Sequence, residues 1–357
     1  MLENTLYLLK QKRKLTVGFF GGSITEGAGA SDAGKTSWRG AVTEWLREKF
    51  SDCEITTIQA AIGGTGSMLG IFREERDLLE KSPDLVFIEF SVNDGLGSYE
   101  DIVANSEAIV RKIYAKNPYA EIVYLHTTTK GLSDHIAAGG EFTARSAHSA
   151  VMHRYGIPQI DVGEILRAKV NELGGDWKSL TIDTVHPNDE GYKIYTEAVV
   201  KLLGEALLGK NAPESLKEKN LPGRISDNDR TAARLVDAFE VGSGWNKVER
   251  SLCGRYDHYI ESKTPGEELE LAFDGRRVGL YCMLAKDSGD LVWSIDGGAE
   301  RTVSTWDKYC KSFNRAGGIM LGGELESGRH LLKLRVSDKK SEESEGNAIR
   351  IGAFMVY

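Results

Sequence analysis

From Leu15 to about Gly204, short apolar runs rich in β-branched residues alternate with longer stretches whose apolar positions recur at helical spacing. That alternation is the mark of βαβ units feeding a parallel sheet. Strands are predicted over 15–20, 54–59, 85–90, 122–126 and 159–162, most of them largely apolar, as strands covered on both faces must be. Between them, 38–50 and 102–115 carry a helical period, and a last helix is predicted over 188–208. Five parallel strands with helical crossovers give an α/β fold, a three-layer α/β/α sandwich.

Beyond Gly209 the pattern changes. A polar stretch containing Pro213, Pro222 and Gly223 leads through a short helical patch expected near Thr231. The runs GEELELAF, RVGLYCML, LVWSIDGG, HLLKLRV and IRIGAFMVY follow with no helical pattern between them. Turn signals at Asp274-Gly275 and Asp296-Gly297-Gly298 separate some of these strands, so an all-β, antiparallel, jelly-roll-like sandwich is predicted. The tract 337–346, rich in Lys, Ser and Glu, reads as a mobile loop between the last two strands.

A chain of 357 residues, 41% hydrophobic, supports two packed domains. They are expected at 1–208 and 229–357, with a linker at 209–228. The net charge of -8, with Lys and Arg dispersed, leaves no footprint for a nucleic acid or an anionic membrane, so neither is an expected partner. The first residues, MLENTLYLLKQKRK, put their charges after a short apolar stretch, the wrong order for a secretory signal, and no segment approaches 18 uninterrupted apolar residues. Cys53, Cys253, Cys282 and Cys310 form no CxxC pair, which fits reduced thiols in a cytoplasmic protein.

Four blocks at strand ends carry the chemistry: GGSIT at 21–25, IGGTG at 62–66, SVND at 91–94 and DTVHP at 183–187. Ser23 follows the first strand after two glycines, so the chain can turn sharply and leave the hydroxyl at the carboxyl edge of the sheet, where open α/β sheets hold ligands. Gly64 has no side chain to shield its N–H, and Asn93 offers a neutral amide donor that does not titrate. His186 can accept the Ser23 proton, with Asp183 three residues earlier to orient the imidazole. Each block alone has a purely local reading: a turn Ser, a geometric Gly, a loop Asn, or an Asp183 that caps the helix after Pro187.

Two other signals weigh little. Residues 29–36, GASDAGKT, match the phosphate-loop pattern GxxxxGK[ST], but that pattern needs a strand immediately before it, and here the strand ends eight residues earlier. The remaining histidines, His126, His135, His148, His153, His258 and His330, show no ligand spacing, so no metal and no cofactor are expected.

Taken in this order and at these strand ends, the four blocks resemble the SGNH subgroup of the GDSL esterase/lipase superfamily, over roughly residues 15–208. The resemblance implies a flavodoxin-like first domain, Ser23 as nucleophile, Asp183 and His186 completing a triad, and Ser23, Gly64 and Asn93 forming the oxyanion hole. Two departures are visible: GGSIT stands where GDS is usual, and SVND stands where a Gly often precedes the Asn. Members joined to such a β-sandwich are often carbohydrate esterases, which implies a small acyl group, acetyl above all, on a small-molecule or oligosaccharide ester. Trp245, Tyr256, Tyr259, Trp293, Trp306 and Tyr309 could stack on a sugar, with Trp306 and Tyr309 the better candidates and Trp293 better read as core; Trp38 and Arg39 could border the pocket. An acyltransferase using the same triad, and a carbohydrate-binding protein with an idle hydrolase domain, remain as alternatives.

Overall fold

The computed structural model describes residues 2–241 and 244–357. The chain divides into two units, 1–231 and 232–357. In the first, five parallel strands, β1 (Lys14–Gly21), β2 (Glu54–Gln59), β3 (Leu85–Glu89), β4 (Glu121–Leu125) and β5 (Gln159–Ile160), form one sheet in the order β2-β1-β3-β4-β5. The helices are α1 (Glu3–Tyr7), α2 (Ser23–Glu26), α3 (Trp38–Lys49), α4 (Ser67–Asp77), α5 (Ser91–Asp94), α6 (Tyr99–Lys116), α7 (Lys130–Ala137), α8 (Thr143–Arg154), α9 (Val162–Glu172) and α10 (Asp189–Leu207). α3, α9 and α10 pack together, and α4, α6 and α8 do the same, giving a helical layer on each face of the sheet. No described helix is long and apolar enough to cross a membrane.

The alternation of side chains along the strands fills both layers. Leu15, Val17, Phe19, Leu85, Phe87, Val123 and Leu125 join one core with α3, α9 and α10, while Phe20 meets Phe90 edge-on, ring centroids 5.1 Å apart, in the other. β1 runs next to both β2 and β3, so the crossovers leave it in opposite directions. The gap this opens at the carboxyl ends of β1 and β3 is where such sheets bind ligands.

The predicted elements shift at their ends. β5 stops at Ile160 because Asp161 caps α9, its side chain accepting from the Glu164 N–H at 2.8 Å, which draws Val162 into the helix. His126 lies past the end of β4. The segment 209–228, expected as a linker, lies along the first unit: the Lys217 N–H donates to Asn4 Oδ1 at 2.8 Å and the Lys219 N–H to the Pro118 carbonyl at 2.8 Å.

The second unit holds β6 (Arg234–Asp237), β7 (Asn246–Val248), β8 (Tyr259–Ser262), β9 (Glu268–Gly275), β10 (Val278–Leu284), β11 (Asp290–Ile295), β12 (Arg301–Ser304), β13 (Arg315–Leu321), β14 (Gly328–Val336) and β15 (Ile349–Val356). One antiparallel sheet runs β13-β10-β15-β8-β7, with β6 also on β15; the other runs β12-β11-β14-β9. Leu269, Leu271 and Phe273 of one sheet and Val278, Leu280, Ile349 and Ile351 of the other share one core. Asp296 and Gly297, at φ 53° and 69°, make the mirror-image turn that suits the β11–β12 hairpin. The helical patch expected near Thr231 is only a turn. The 337–346 loop is pinned rather than loose, Ser344 Oγ donating to the Ser288 carbonyl at 2.7 Å and the Glu345 N–H to the Lys286 carbonyl at 2.8 Å. All four cysteines are unpaired; Cys282 and Cys310 are buried, Cys53 and Cys253 partly exposed.

Candidate active site

Ser23 opens α2 directly after β1, with Gly22 as its extended N-cap residue. Its Oγ lies 2.8 Å from His186 Nε2, and His186 Nδ1 lies 2.7 Å from Asp183 Oδ2. The fourth block thus closes on the first across 163 residues of sequence. Asp183 divides its oxygens: Oδ2 faces the imidazole, while Oδ1 accepts the backbone N–H groups of Val185 (3.0 Å) and His186 (2.8 Å). Burial pushes the Asp183 carboxyl up, but the hydrogen bonds from His186 and Val185 outweigh it and hold the group below its usual value. The cap of α10 is Asn188, whose side chain accepts from the Gly191 N–H, so Asp183 is not used as a cap.

The loop that presents this pair is tightly bound. Thr184 sits at φ 69°, a left-handed conformation unusual for a β-branched residue. Its carbonyl accepts the Lys130 N–H at 3.0 Å and its N–H donates to Thr181 Oγ1 at 3.2 Å. The loop 29–36, whose letters match a phosphate loop, is held against the start of α10: Asp189 accepts from Ser31 N (2.8 Å), Ser31 Oγ (2.6 Å) and Thr36 Oγ1 (2.8 Å). Ser31 and Thr36 are spent on that brace.

Gly64 and Asn93 stand at the ends of β2 and β3. Pairing between β1 and the chain after β2 continues through the Ile62 N–H, which donates to the Gly21 carbonyl at 3.1 Å, so the second block lies beside the first. Gly64 has φ 71°, and a Cβ there would meet nothing within 4 Å; the residue is glycine for its backbone, and open space faces it. A Cβ on Gly22, by contrast, would stand 2.0 Å from Asn93 Oδ1, which places the Asn93 amide against the Ser23 turn. Ser23, Gly64, Asn93, Asp183 and His186 therefore lie at the carboxyl edge of the sheet. A hydroxyl hydrogen-bonded to an imidazole that is itself bonded to a carboxylate, beside neutral donors, can perform acyl transfer.

The candidate substrate contacts divide. Trp38 is a correction: it is fully buried, its ring 5.4 Å from Phe19 and 5.8 Å from Phe87, because the first turn of α3 faces the core. Arg39, half-buried, donates from Nη2 to the Glu26 carbonyl at 3.1 Å, at the end of α2; burial pulls its guanidinium down while the Glu26 charge opposes this. In the second unit Trp245, Tyr259 and Trp293 are buried in the sandwich and unavailable for stacking, and Tyr256 donates its hydroxyl to Asp237 at 2.9 Å. Trp306 packs partly against that core. Tyr309 is 53% exposed, with Lys308 and Arg315 5.2 Å and 5.5 Å from its ring centroid.

Residues that the sequence reading gave no role also build the site. Glu26, three positions after Ser23, accepts the Gly63 N–H at 2.8 Å and so anchors the loop of Gly64. Asp94 accepts the Ser67 N–H at 2.9 Å and lies 2.8 Å from His148 Nε2, anchoring the helix of Asn93 to α4 and α8. Glu89 ends an otherwise apolar strand, and that lone charge is a signal; Arg73 opens the charged run 73–77 of α4 and nothing local sets it apart.

Comparison with known proteins agrees with this fold. Across 99% of this chain and 94% of its own, a two-domain esterase, CEX, active on acetylated mannans and co-crystallised with mannopentaose, superposes with a TM-score of 0.84 at 21% identity. Another structure of that esterase covers 100% of this chain and 95% of its own, with a TM-score of 0.86 at 21% identity. At that identity the likeness establishes the fold of an α/β unit followed by an all-β unit. Residues 19–194, which hold all four blocks, match the model of the GDSL-like Lipase/Acylhydrolase family, and the chain belongs to that family of carboxylic ester hydrolases.

Proposed function

We propose that this enzyme is a serine esterase that removes small acyl groups, acetyl above all, from carbohydrates. The observation that carries the reading is the chain of contacts Ser23 Oγ–His186 Nε2–Asp183 Oδ2, at 2.8 Å and 2.7 Å, set where the crossovers from β1 diverge. In the mechanism, His186 takes the Ser23 proton as Oγ attacks the ester carbonyl. The tetrahedral oxyanion is met by the N–H groups of Ser23 and Gly64 and the Asn93 amide. Collapse of the intermediate breaks the bond to the sugar oxygen, which takes the proton from His186 and leaves an acetyl ester on Ser23; a water deprotonated by the same imidazole attacks that ester, and acetate departs as Ser23 Oγ regains its proton.

The carbohydrate assignment has two supports. The fold likeness to an esterase active on acetylated mannans extends over both units. The triad is also open: the Asp183 side chain is 47% exposed and that of His186 23%, which suits an acetyl group carried on a polymer better than a fatty chain needing an apolar tunnel. Arg39 in the first unit, and Trp306 and Tyr309 on a jelly-roll-like second unit, are the proposed sugar contacts. The four unpaired cysteines support a reducing, cytoplasmic setting.

The test is acetate release from 4-nitrophenyl acetate and from an acetylated manno-oligosaccharide, by wild type and Ser23→Ala side by side. Turnover of both substrates by wild type and of neither by the variant is expected. Undiminished turnover by Ser23→Ala removes Ser23 as nucleophile, and wild-type turnover of the aryl ester alone removes the carbohydrate assignment. Acetyl transfer to an added sugar outrunning hydrolysis would turn the esterase reading into an acyltransferase one.

A further inference from the structure

The mechanism above leaves unused two charged side chains that are among the most deeply buried in the first unit. Arg73 on α4 is 0% exposed, and Glu89 at the end of β3 is 1% exposed. Charges at such depth are costly unless hydrogen bonds satisfy them. They hold one turn from its two sides. Arg73 Nη2 donates to the carbonyl of Gly21, two residues before Ser23, at 3.0 Å, and the Glu89 carboxylate accepts the hydroxyl of Thr25, two residues after it. Between them lies the N–H of Ser23.

The remaining bonds of each side chain reach the neighbouring blocks. Glu89 uses Oε2 for Thr25, at 2.9 Å, and its Oε1 accepts the Thr127 hydroxyl from beyond β4 at 2.7 Å. Arg73 also donates to the Ala60 carbonyl, pairs with Asp77 at 3.1 Å, and approaches Thr65 Oγ1, beside Gly64, at 3.4 Å. Its guanidinium lies over the Phe20 ring, 4.6 Å from the centroid.

The turn cannot stiffen itself. Gly21 and Gly22 are the most permissive residues available, and a Cβ on either would collide, at 2.6 Å from the Glu89 carbonyl for Gly21 and at 2.0 Å from Asn93 Oδ1 for Gly22. Rigidity there has to come from outside the turn. We propose that Arg73, at the Gly21 carbonyl, and Glu89, at the Thr25 hydroxyl, are positioning residues that clamp the turn carrying Ser23 from its two sides and thereby fix the direction of the Ser23 N–H and hydroxyl. The inference rests on Ser23 being the nucleophile.

The test uses the full chain, with kcat and KM for 4-nitrophenyl acetate measured on wild type, Ser23→Ala, Arg73→Lys, Glu89→Gln and the Arg73→Lys/Glu89→Gln double variant. Lysine keeps the charge but loses the planar fork, and glutamine replaces one acceptor oxygen by a donor. Each single variant is expected to lose about 10- to 100-fold in kcat with KM within about threefold, because misplacement of the nucleophile falls on the chemical step. The double variant should lose little more than the worse single one, since both act through one turn. The rate at which an aryl phosphonate modifies Ser23 should fall by a similar factor. If either variant fails to fold, Arg73→Gln or Glu89→Asp takes its place with the same expectation. Folded variants with wild-type kcat, a loss confined to KM, or a double loss equal to the product of the singles would each overturn the clamp. An inert Ser23→Ala beside fully active clamp variants leaves the triad standing and removes only the clamp; an active Ser23→Ala removes both.

Discussion

At the scale of single residues, the hydrogen bonds of Asp183 set the pH behaviour. Its carboxyl, held below the usual value, keeps its charge as pH falls past the point where an ordinary carboxylate would be half protonated. The proposed base must be unprotonated to accept the Ser23 proton, so kcat/KM should fall on acidification while Asp183 stays charged. A kcat/KM that does not fall in acid would rule out the imidazole as base. Asp183→Asn should lower kcat by roughly 10²- to 10⁴-fold, less than Ser23→Ala, because the imidazole remains but loses its orienter. Gly22→Ala should also lower kcat steeply, since the added methyl must push Asn93 aside; near-normal kcat in that variant would show that Asn93 is not needed in its present place. The residues that touch a substrate carbonyl in the proposed mechanism were legible in the sequence because each stands beside glycine or a short polar block at a strand end. Trp38 was not, since only the packed helix shows that its ring turns inward between Phe19 and Phe87.

Among elements, the strands were legible from their apolar runs, and their ends were not. β5 is the clearest case: a strand is expected over 159–162, and Asp161, capping α9, cuts it to two positions. Buried charges on helices were equally hidden. Glu74 on α4 has no exposed surface and its carboxylate lies 3.6 Å from Lys112 Nζ; burial pushes its carboxyl up to about 8 against the pull of Lys112. The folded state thus favours the protonated form. That contribution to stability is complete below the ordinary carboxylate value of 4.5 and is lost as pH rises through about 8. Glu74→Gln should accordingly flatten the dependence of Tm on pH between 5 and 8, as scanning calorimetry of the two proteins would show; parallel curves would mean that Glu74 is ionised in the fold. Thr184 offers an opposite kind of element-level test, because Thr184→Gly relieves a left-handed threonine worth about 1 kcal/mol.

For the whole molecule, two separate cores, one around the parallel sheet and one between the two antiparallel sheets, predict that the units unfold as distinct steps. The sequence announced both architectures through the change from a helical to an alternating period near Gly209. It did not announce that 209–228 lies along the first unit, because those hydrogen bonds run from backbone to a distant Asn4 and Pro118 and leave no local pattern. A fragment of residues 1–231 should retain most of the wild-type kcat/KM on 4-nitrophenyl acetate, since it holds every residue of the proposed triad and oxyanion hole. If Trp306 and Tyr309 grip sugar, the same fragment should show a raised KM on the acetylated manno-oligosaccharide, and an unchanged KM would confine recognition to the first unit.

The distribution of thiols gives an experimental handle on the pair of units. Cys53 lies in the first and Cys253 in the second, each partly exposed, while Cys282 and Cys310 are buried. Burial holds both accessible thiols above the usual value, so mildly alkaline conditions favour their reaction. A fluorescent donor on one and an acceptor on the other would turn the native chain into a spectroscopic ruler, able to follow the separation of the two units while an ester substrate is turned over.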